Sequence, residues 1–470
     1  MSRLHVLAAA TAVTLLSGCA SLAPHYERPA SPVPSQWRQG EAAAQATDGS
    51  ADSPAVSRIA WQAFFRDARL QQVIALALDN NRDLRVAVSN IEKARAQYRI
   101  QRAAQLPSVA IDGSQTANGT DTGSGDFAIG RQYSATVGFS GYELDLFGRV
   151  RSLKREALEA YFATEEAQRS TRLSLVAETA GDWLTLAADI ERLALARKTL
   201  ESQQASLKRS EAQHAQGVAS GLDLTQARTS VESARIDVAT YTTQVEQDRN
   251  ALELVVGAPV ADALLPVEGT DTPVALAEIP AGLDSSLLLD RPDVLSAEHT
   301  LKSANADIGA ARAAFFPTIT LTGSAGRGSD QLSDLFGGGT RLWSFAPRIS
   351  LPIFNAGSLR ASLKVSEAQR DIAVATYEKA IQTAFREVAD ALAVRASLQE
   401  RLAAQQALVD TTARAYALAG TRYRNGVDSY LDVLDAQRSL YAAQQGLIGL
   451  RLVEASNRVT LYKALGGQAE

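Results

Sequence analysis

The sequence predicts a mainly α-helical chain with a membrane β-barrel portion, built from two structural repeats that each supply two β-strands and a pair of long coiled helices. Three observations carry this. Gly217-Val218-Ala219-Ser220-Gly221-Leu222-Asp223 and Gly426-Val427-Asp428-Ser429-Tyr430-Leu431-Asp432 share the pattern G-V-x-S-x-L-D, and each turn joins a very long Gly- and Pro-poor stretch to a second helical one. Each repeat also holds two stretches of alternating polarity, and the chain opens with an export signal. A repeat of this kind decides the fold before any local motif does.

At the N-terminus, Arg3 and the apolar stretch Leu4 to Leu16 have the charge and length of a signal-peptide core, too short for a stable membrane span. The stretch ends in Leu16-Ser17-Gly18-Cys19, which resembles the lipobox of bacterial lipoproteins. That resemblance implies cleavage after residues 1–18, three acyl chains on Cys19, more than the two signals that stable anchoring needs, and, with Ala20 rather than Asp next, delivery to the outer membrane. Residues 19–60 then read as a lipidated tether. Pro24, Pro29, Pro32 and Pro34 favour extended chain over a packed element, holding the body away from its anchor.

The first repeat is expected over residues 61–259. Leu70, Val73, Ile74, Ala77 and Leu78 recur at helical spacing, a second helix runs from about Leu84 to Ala104, and Pro107 ends it. Strand-like stretches follow at Ser108 to Thr116 and Tyr133 to Leu146, with Tyr133, Ala135, Val137 and Phe139 on one face and Ser134, Thr136 and Ser140 on the other. The apolar phase slips at Gly141-Tyr142, which predicts a bulge where the strand leaves the sheet. Residues 260–283 form a linker, and residues 284–470 repeat the order, with strands at Thr318 to Ala325 and Leu342 to Ile353.

Four strands cannot close a barrel, since the smallest membrane barrels need about eight. Three copies would supply twelve strands and a lumen, so a homotrimer is predicted. From Arg149 to His214 a single Gly and no Pro interrupt the helical signal, which at ~1.5 Å per residue gives a helix on the order of 100 Å. Leu193, Leu200, Leu207 and His214 fall against Leu402, Val409, Tyr416 and Tyr423 at seven-residue spacing, the period of helices that pack side by side. The return helices end at Gly257 and Gly466.

Together these residues resemble the TolC and OprM type of outer-membrane efflux channel, in its lipoprotein branch. The match rests on the lipobox with Pro24-His25-Tyr26-Glu27-Arg28-Pro29, on Tyr142-Glu143-Leu144-Asp145-Leu146-Phe147-Gly148, on Tyr423-Arg424-Asn425-Gly426-Val427, and on Leu434-Asp435-Ala436-Gln437-Arg438. It implies a trimer with a twelve-strand barrel in outer-membrane lipid and a twelve-helix periplasmic tube. It further implies a periplasmic adaptor protein docking on Gly217, Val218, Ser220, Gly426, Val427 and Ser429, with an inner-membrane pump reached through that adaptor. Physically, Gly217 and Gly426 free a helix end and Ser220 and Ser429 suit the cap of the next helix.

The same resemblance implies a pore gate: Leu431 as an apolar ring, Asp435 as an acidic ring with Arg438 on its face, and Tyr423 and Arg424 bonding to neighbours. A ring of three Asp435 would attract cations. Gln226, Thr229 and His214 stand in the first repeat where the second has Asp435, Arg438 and Tyr423, so the two halves contribute unequally. The same architecture also serves as a protein-secretion duct, and long helices with Cys19 would suit a structural coiled-coil lipoprotein, which leaves the strand pairs unexplained.

A net charge of -5 offers no basic field for nucleic acid, and one Cys and one Met exclude a disulfide framework. The four His form no ligand-spaced cluster and no nucleophile motif is present, so neither an enzyme nor a metal site is expected. No cofactor is expected beyond the covalent lipid on Cys19.

Overall fold

The computed structural model describes residues 21–37, 59–121, 123, 125–267, 276 and 284–468. Cys19 and the signal segment lie outside them. The elements are α1 (Trp61–Phe64), α2 (Ala68–Asn80), α3 (Arg82–Ala103), β1 (Val109–Asp121), β2 (Phe127–Leu144), α4 (Arg149–Ala215), α5 (Gly221–Val256), α6 (Pro292–Ala313), β3 (Thr318–Ser329), β4 (Arg341–Ser350), α7 (Ser358–Arg424) and α8 (Tyr430–Ala464), with short 3-10 turns between. Equivalent elements match closely in length: α3 and α6 have 22 residues each, α4 and α7 have 67 each. The chain forms two compact units that cut across the repeats. The first comprises Met1–Ala30, Asn90–Glu165 and Ser296–Glu378, and the second Ser31–Ser89, Glu166–Leu295 and Lys379–Glu470.

The first unit contains one antiparallel sheet in the order β1-β2-β3-β4. Its register puts Val109 opposite Phe139, Ile111 opposite Val137, Ala325 opposite Trp343 and Ile319 opposite Ile349, so one face is apolar across all four strands. The other face carries Ser114 hydrogen-bonded to Ser134 at 2.7 Å and Ser324 to Ser344 at 2.9 Å. The apolar face is uncovered, with Ile111 84% and Trp343 78% exposed.

The expected bulge occurs between Phe139 and Tyr142, with Gly141 at φ 67° and its N–H donating to the Thr322 hydroxyl. The strand does not leave the sheet there. It goes on pairing with β3 through Leu144, because the extra residue returns Tyr142 and Leu144 to the apolar face opposite Leu321 and Ile319. The hairpin strands also run further into the Gly- and Ser-rich loop than their composition suggests, to Asp121 and from Phe127, since backbone pairing tolerates residues of low strand propensity. At the other end, β4 stops at Ser350, short of Ile353.

Below β2, Glu143 ion-pairs with Arg149, the Asp145 carboxylate accepts from the Val150 and Arg151 N–H groups at 3.2 and 2.8 Å, and Gly148 takes φ 79°. Phe147 stacks on Phe316 at 4.7 Å. The Tyr142 to Gly148 motif is therefore a strand-to-helix corner whose acid caps the incoming helix.

The Pro-rich N-terminal stretch carries no strand or helix from Ser21 to Ala30, yet it is packed. In the first unit it runs antiparallel to α6: Arg312 donates to the Leu22 carbonyl at 3.3 Å, Asn305 to that of Pro24 at 2.9 Å, and Tyr26 and Arg28 reach Glu298 at 3.0 and 2.6 Å. In the second unit, Trp37 is buried, stacks on Phe385 at 5.3 Å and donates to its carbonyl at 3.0 Å. The expectation of a free tether is corrected here: proline suppresses secondary structure but leaves carbonyls and side chains free to dock, and the neighbouring helices supply donors for them.

In the second unit, Phe64 and Phe65 pack on Tyr462, whose buried hydroxyl donates to the Ile59 carbonyl at 2.9 Å and the Gln468 carbonyl at 2.6 Å. Leu70, Val73, Ile74, Leu252 and Val256 are buried, and the buried Arg291 donates to the Ala464 carbonyl at 2.6 Å while pairing with Asp293 and Glu387. Along α4 the heptad seam is Leu193, Ala196, Leu200, Gln203, Leu207 and Ser210, with the polar Gln203 and Ser210 more buried than Leu200 or Leu207. His214, expected to end the seam, is exposed. Its side chain instead meets the Ala219 carbonyl at 3.0 Å.

Glu298 anchors the first half of the N-terminal strap. Its side chain is 3% exposed and is held by Arg28, Lys302 and Tyr26. Burial alone would raise its pKa, but those hydrogen bonds hold it below the ordinary carboxylate value, so the contact stabilises fully above that value and is lost as pH falls through the lowered one. Glu298→Ala, which removes the shared partner of Tyr26, Arg28 and Lys302, is expected to lose about 2 kcal/mol, since Arg28 and Lys302 remain partly hydrated. Amide exchange over residues 21–30 should accelerate in this variant at neutral pH, and in the parent chain only in acid.

Candidate functional site at the helical turns

Both G-V-x-S turns have the same backbone. In the first, Gly217 sits at φ 73°, its N–H donates to the His214 carbonyl at 2.9 Å, and the Val218 N–H reaches back to Gln213 at 2.9 Å. In the second, Gly426 sits at φ 73°, donating to Tyr423 at 2.9 Å while Val427 donates to Arg422 at 3.0 Å. This pairing closes the last helical carbonyls, and it requires a left-handed residue that only glycine adopts without strain.

Ser220 and Ser429 then cap α5 and α8, each in a reciprocal box with the Asp three residues on. The Ser429 hydroxyl donates to Asp432 at 2.6 Å, and the Ser220 hydroxyl to Asp223 at 2.8 Å. Each Asp also lies at a helix N-terminus, where negative charge is favoured. Val218 and Val427, 75% and 61% exposed, stand on these turns. The turns therefore present an apolar knob on a fixed backbone.

The residues expected at a pore gate divide into two sets. Tyr423 faces inward: its hydroxyl donates to Gln213 of the other hairpin at 3.2 Å and its ring lies 5.4 Å from that of Tyr430. Around them Ala227, Tyr430, Val433 and Leu434 form a small buried cluster with Leu207, Tyr416 and Ala419. Arg424, the next residue, points away and bonds only locally, to the Thr421 hydroxyl at 3.0 Å. Leu431, Asp435 and Arg438 share an exposed face of α8, with Asp435 and Arg438 3.6 Å apart. Such an exposed pair contributes little to stability, so its charges are available to act on whatever passes or adjoins that face.

A further clamp was not anticipated from the sequence. Arg422 grips Asp428 with two of its guanidinium nitrogens, Nε and Nη2, at 2.6 and 2.8 Å, and the hydrogen bonds from Arg422 hold the Asp428 carboxyl below its ordinary pKa. Its signal lies in the repeat: Gln213 and Ala219 occupy the corresponding places in the first turn, so both partners differ together. The second turn is braced by a charge pair within it, whereas in the first hairpin the pair is Glu211 on α4 with Arg228 on α5 at 3.7 Å, across the two helices. Among the described residues no group of three or more His, Cys, Asp or Glu side chains converges to hold a metal ion. No described helix is long and apolar enough to cross a membrane.

A four-stranded sheet with one uncovered apolar face, joined to two helical hairpins that end in matching turns, defines a TolC-like outer-membrane channel protein. The chain belongs to the outer membrane efflux protein family, whose model matches residues 73–258 and 283–467. It is 50% identical to the probable efflux pump outer membrane protein TtgC of Pseudomonas putida, covering 98% of this chain and 95% of that one. It is 43% identical to outer membrane protein OprJ of Pseudomonas aeruginosa, with 97% and 94% covered. Among solved structures, a membrane protein from Pseudomonas aeruginosa superposes with a TM-score of 0.88 at 42% identity over 95% of this chain and 98% of that one. The open state of the MtrE outer membrane channel of Neisseria gonorrhoeae does so with 0.85 at 38% identity, over 96% and 99%. The family is one of efflux channels rather than enzymes, and its members' place is the outer membrane.

Removing either cap should act locally. Ser220→Ala and Ser429→Ala are each expected to lose about 1 kcal/mol, read as roughly fivefold faster amide exchange in the first turn of α5 or α8 with the rest of the chain unchanged. Arg422→Ala should loosen the second turn alone.

Proposed function

We propose that this protein is the outer-membrane channel of a tripartite efflux system, working as a homotrimer anchored by lipid on Cys19 and handed its cargo by a periplasmic adaptor and an inner-membrane pump. The observation that carries the reading is the sheet. β1 and β4 are both edges, their outer backbone groups have no strand partner among the described residues, and their apolar face is open. Inside a bilayer such edges must be paired, which copies of the same sheet do by joining β4 of one to β1 of the next. Three copies give twelve strands and an aqueous lumen. The polar face with its serines would then line the lumen.

The strap supports the anchor. From Leu22 to Arg28 it follows α6 from Arg312 back to Glu298, and six extended residues at ~3.3 Å match fourteen helical ones at ~1.5 Å, each about 20 Å. Cys19 is three residues ahead of Leu22, a reach of at most about 11 Å, which keeps it near the end of α6 from which β3 departs. A lipid there would enter the membrane at the level where the strands do.

Gly217, Val218, Ser220, Gly426, Val427 and Ser429 form the docking tips for the adaptor, and Leu431, Asp435 and Arg438, with Arg424 beside them, form the pore gate. Tyr423 ties the two hairpins of one protomer together. The cargo, by likeness to relatives named as toluene and antibiotic efflux proteins, is small organic molecules.

Planar bilayers test the reading. The purified trimer should conduct ions, and Asp435→Ala with Arg424→Ala should raise single-channel conductance; unchanged conductance in the double variant removes the gate assignment. Replacing Gly217 with a bulky residue should weaken adaptor cross-linking and leave the trimer intact, whereas loss of the trimer would make the turn purely structural.

A further inference from the structure

Beside the strap the first unit contains a cavity of about 650 Å³. The strap walls it from Ser21 to Tyr26, α4 supplies Arg155, Glu159 and Phe162, and α6 supplies His299, Lys302 and Asn305. We propose that this cavity binds the phosphate-ester headgroup of a glycerophospholipid, a site separate from the lumen and from the turns; the proposal rests on the reading of Cys19 as an acylated anchor.

Four observations lead there. First, its charged lining is unevenly satisfied. Glu159 is bonded to His299 at 2.8 Å and Lys302 to Glu298 at 3.0 Å, while Arg155 and His25 have no hydrogen bond or ion pair among the described residues. An unpaired guanidinium at the mouth of a cavity is the group best shaped for two oxygens of a phosphate.

Second, the polar groups stand among apolar ones: Pro24, Phe162, Ala306 and the Tyr26 ring, over which the Lys302 ammonium lies at 5.3 Å. That mixture suits a headgroup and its glycerol rather than a bare ion. Third, a zwitterionic headgroup would find an acid as well as a base, because Glu159, which meets His299 through one oxygen only, lines the same cavity.

Fourth, the cavity is close to where lipid must be. Ser21 lines it, and Cys19 comes two positions earlier in the chain. Arg155 is in the second turn of α4, about 9 Å along the axis from Arg149 at the strand-to-helix corner. A headgroup seated there keeps its acyl chains directed toward the level of the strands, beside the anchor's own.

The test uses the full acylated chain in non-ionic detergent, with dihexanoyl phosphatidylethanolamine as probe and inorganic phosphate as comparison, and native mass spectrometry to count what is retained per protomer. The lipid should bind once per protomer and protect residues 21–28 from exchange. Arg155→Glu with His25→Ala, which removes no described bond, should weaken retention by about tenfold with the trimer intact. Equal retention by the variant, or inorganic phosphate binding as tightly as the lipid, overturns the proposal. The Cys19→Ala chain, exported without acylation, separates the two readings: lipid bound by it supports the pocket whatever the anchor does, and an acylated parent chain that retains no lipid removes the pocket while the anchor stands.

Discussion

The backbone groups along the free edges of β1 and β4 constrain everything else in this chain. In water they would be satisfied by solvent, but the apolar face beside them places the sheet in lipid, where each unpaired group costs several kcal/mol. In the proposed trimer the sheet is completed by copies of itself. The chain brings two hairpins rather than one because the whole strand, strand, helix, helix unit is duplicated, and its two long helices match at 67 residues each.

Duplication gave two turns with one backbone and two electrostatic characters. Glycine at φ 73° and the Ser and Asp box are kept in both, since they serve the helix ends. The side chains around them diverge. Arg422 and Asp428 brace the second turn, Asp435 and Arg438 charge the helix behind it, and the first turn has neither. Around a three-fold axis the two kinds would alternate, so a partner meeting all six would find uniform geometry and alternating charge.

Much of this was legible in the sequence, because long helices, alternating strands and glycine-stopped turns are local patterns repeated twice. The helix start at Arg149 follows from the scarcity of Gly and Pro beyond it, and the phase slip at Gly141 from the strand's alternation. The strap does not: its contacts to Glu298 and Phe385 join residues hundreds of positions apart, and proline content speaks only of what the backbone avoids. Gln203 and Ser210 were missed in the α4 seam for a related reason, since hydrophobic spacing finds large apolar residues and close helix packing also accepts small or polar ones. Of the candidate site, the turn residues are recoverable from the repeat and the seam spacing turns Tyr423 inward, whereas its partner Gln213 lies on a neighbouring hairpin that periodicity cannot place.

The bulge at Ser140 and Gly141 has a consequence for how such a chain changes over time. Above it, β2 shares its parity with β1 along the whole hairpin; below it, the parity is reversed, and Tyr142 and Leu144 reach the apolar face only through that reversal. Residues are thus added to or lost from the lower strand in twos, or together with the bulge itself, because a single insertion would turn every side chain beyond it from lipid to water. The loop between Asp121 and Phe127 is under no such arithmetic. Variation in length is free at the exposed tip of the hairpin and quantised at its base.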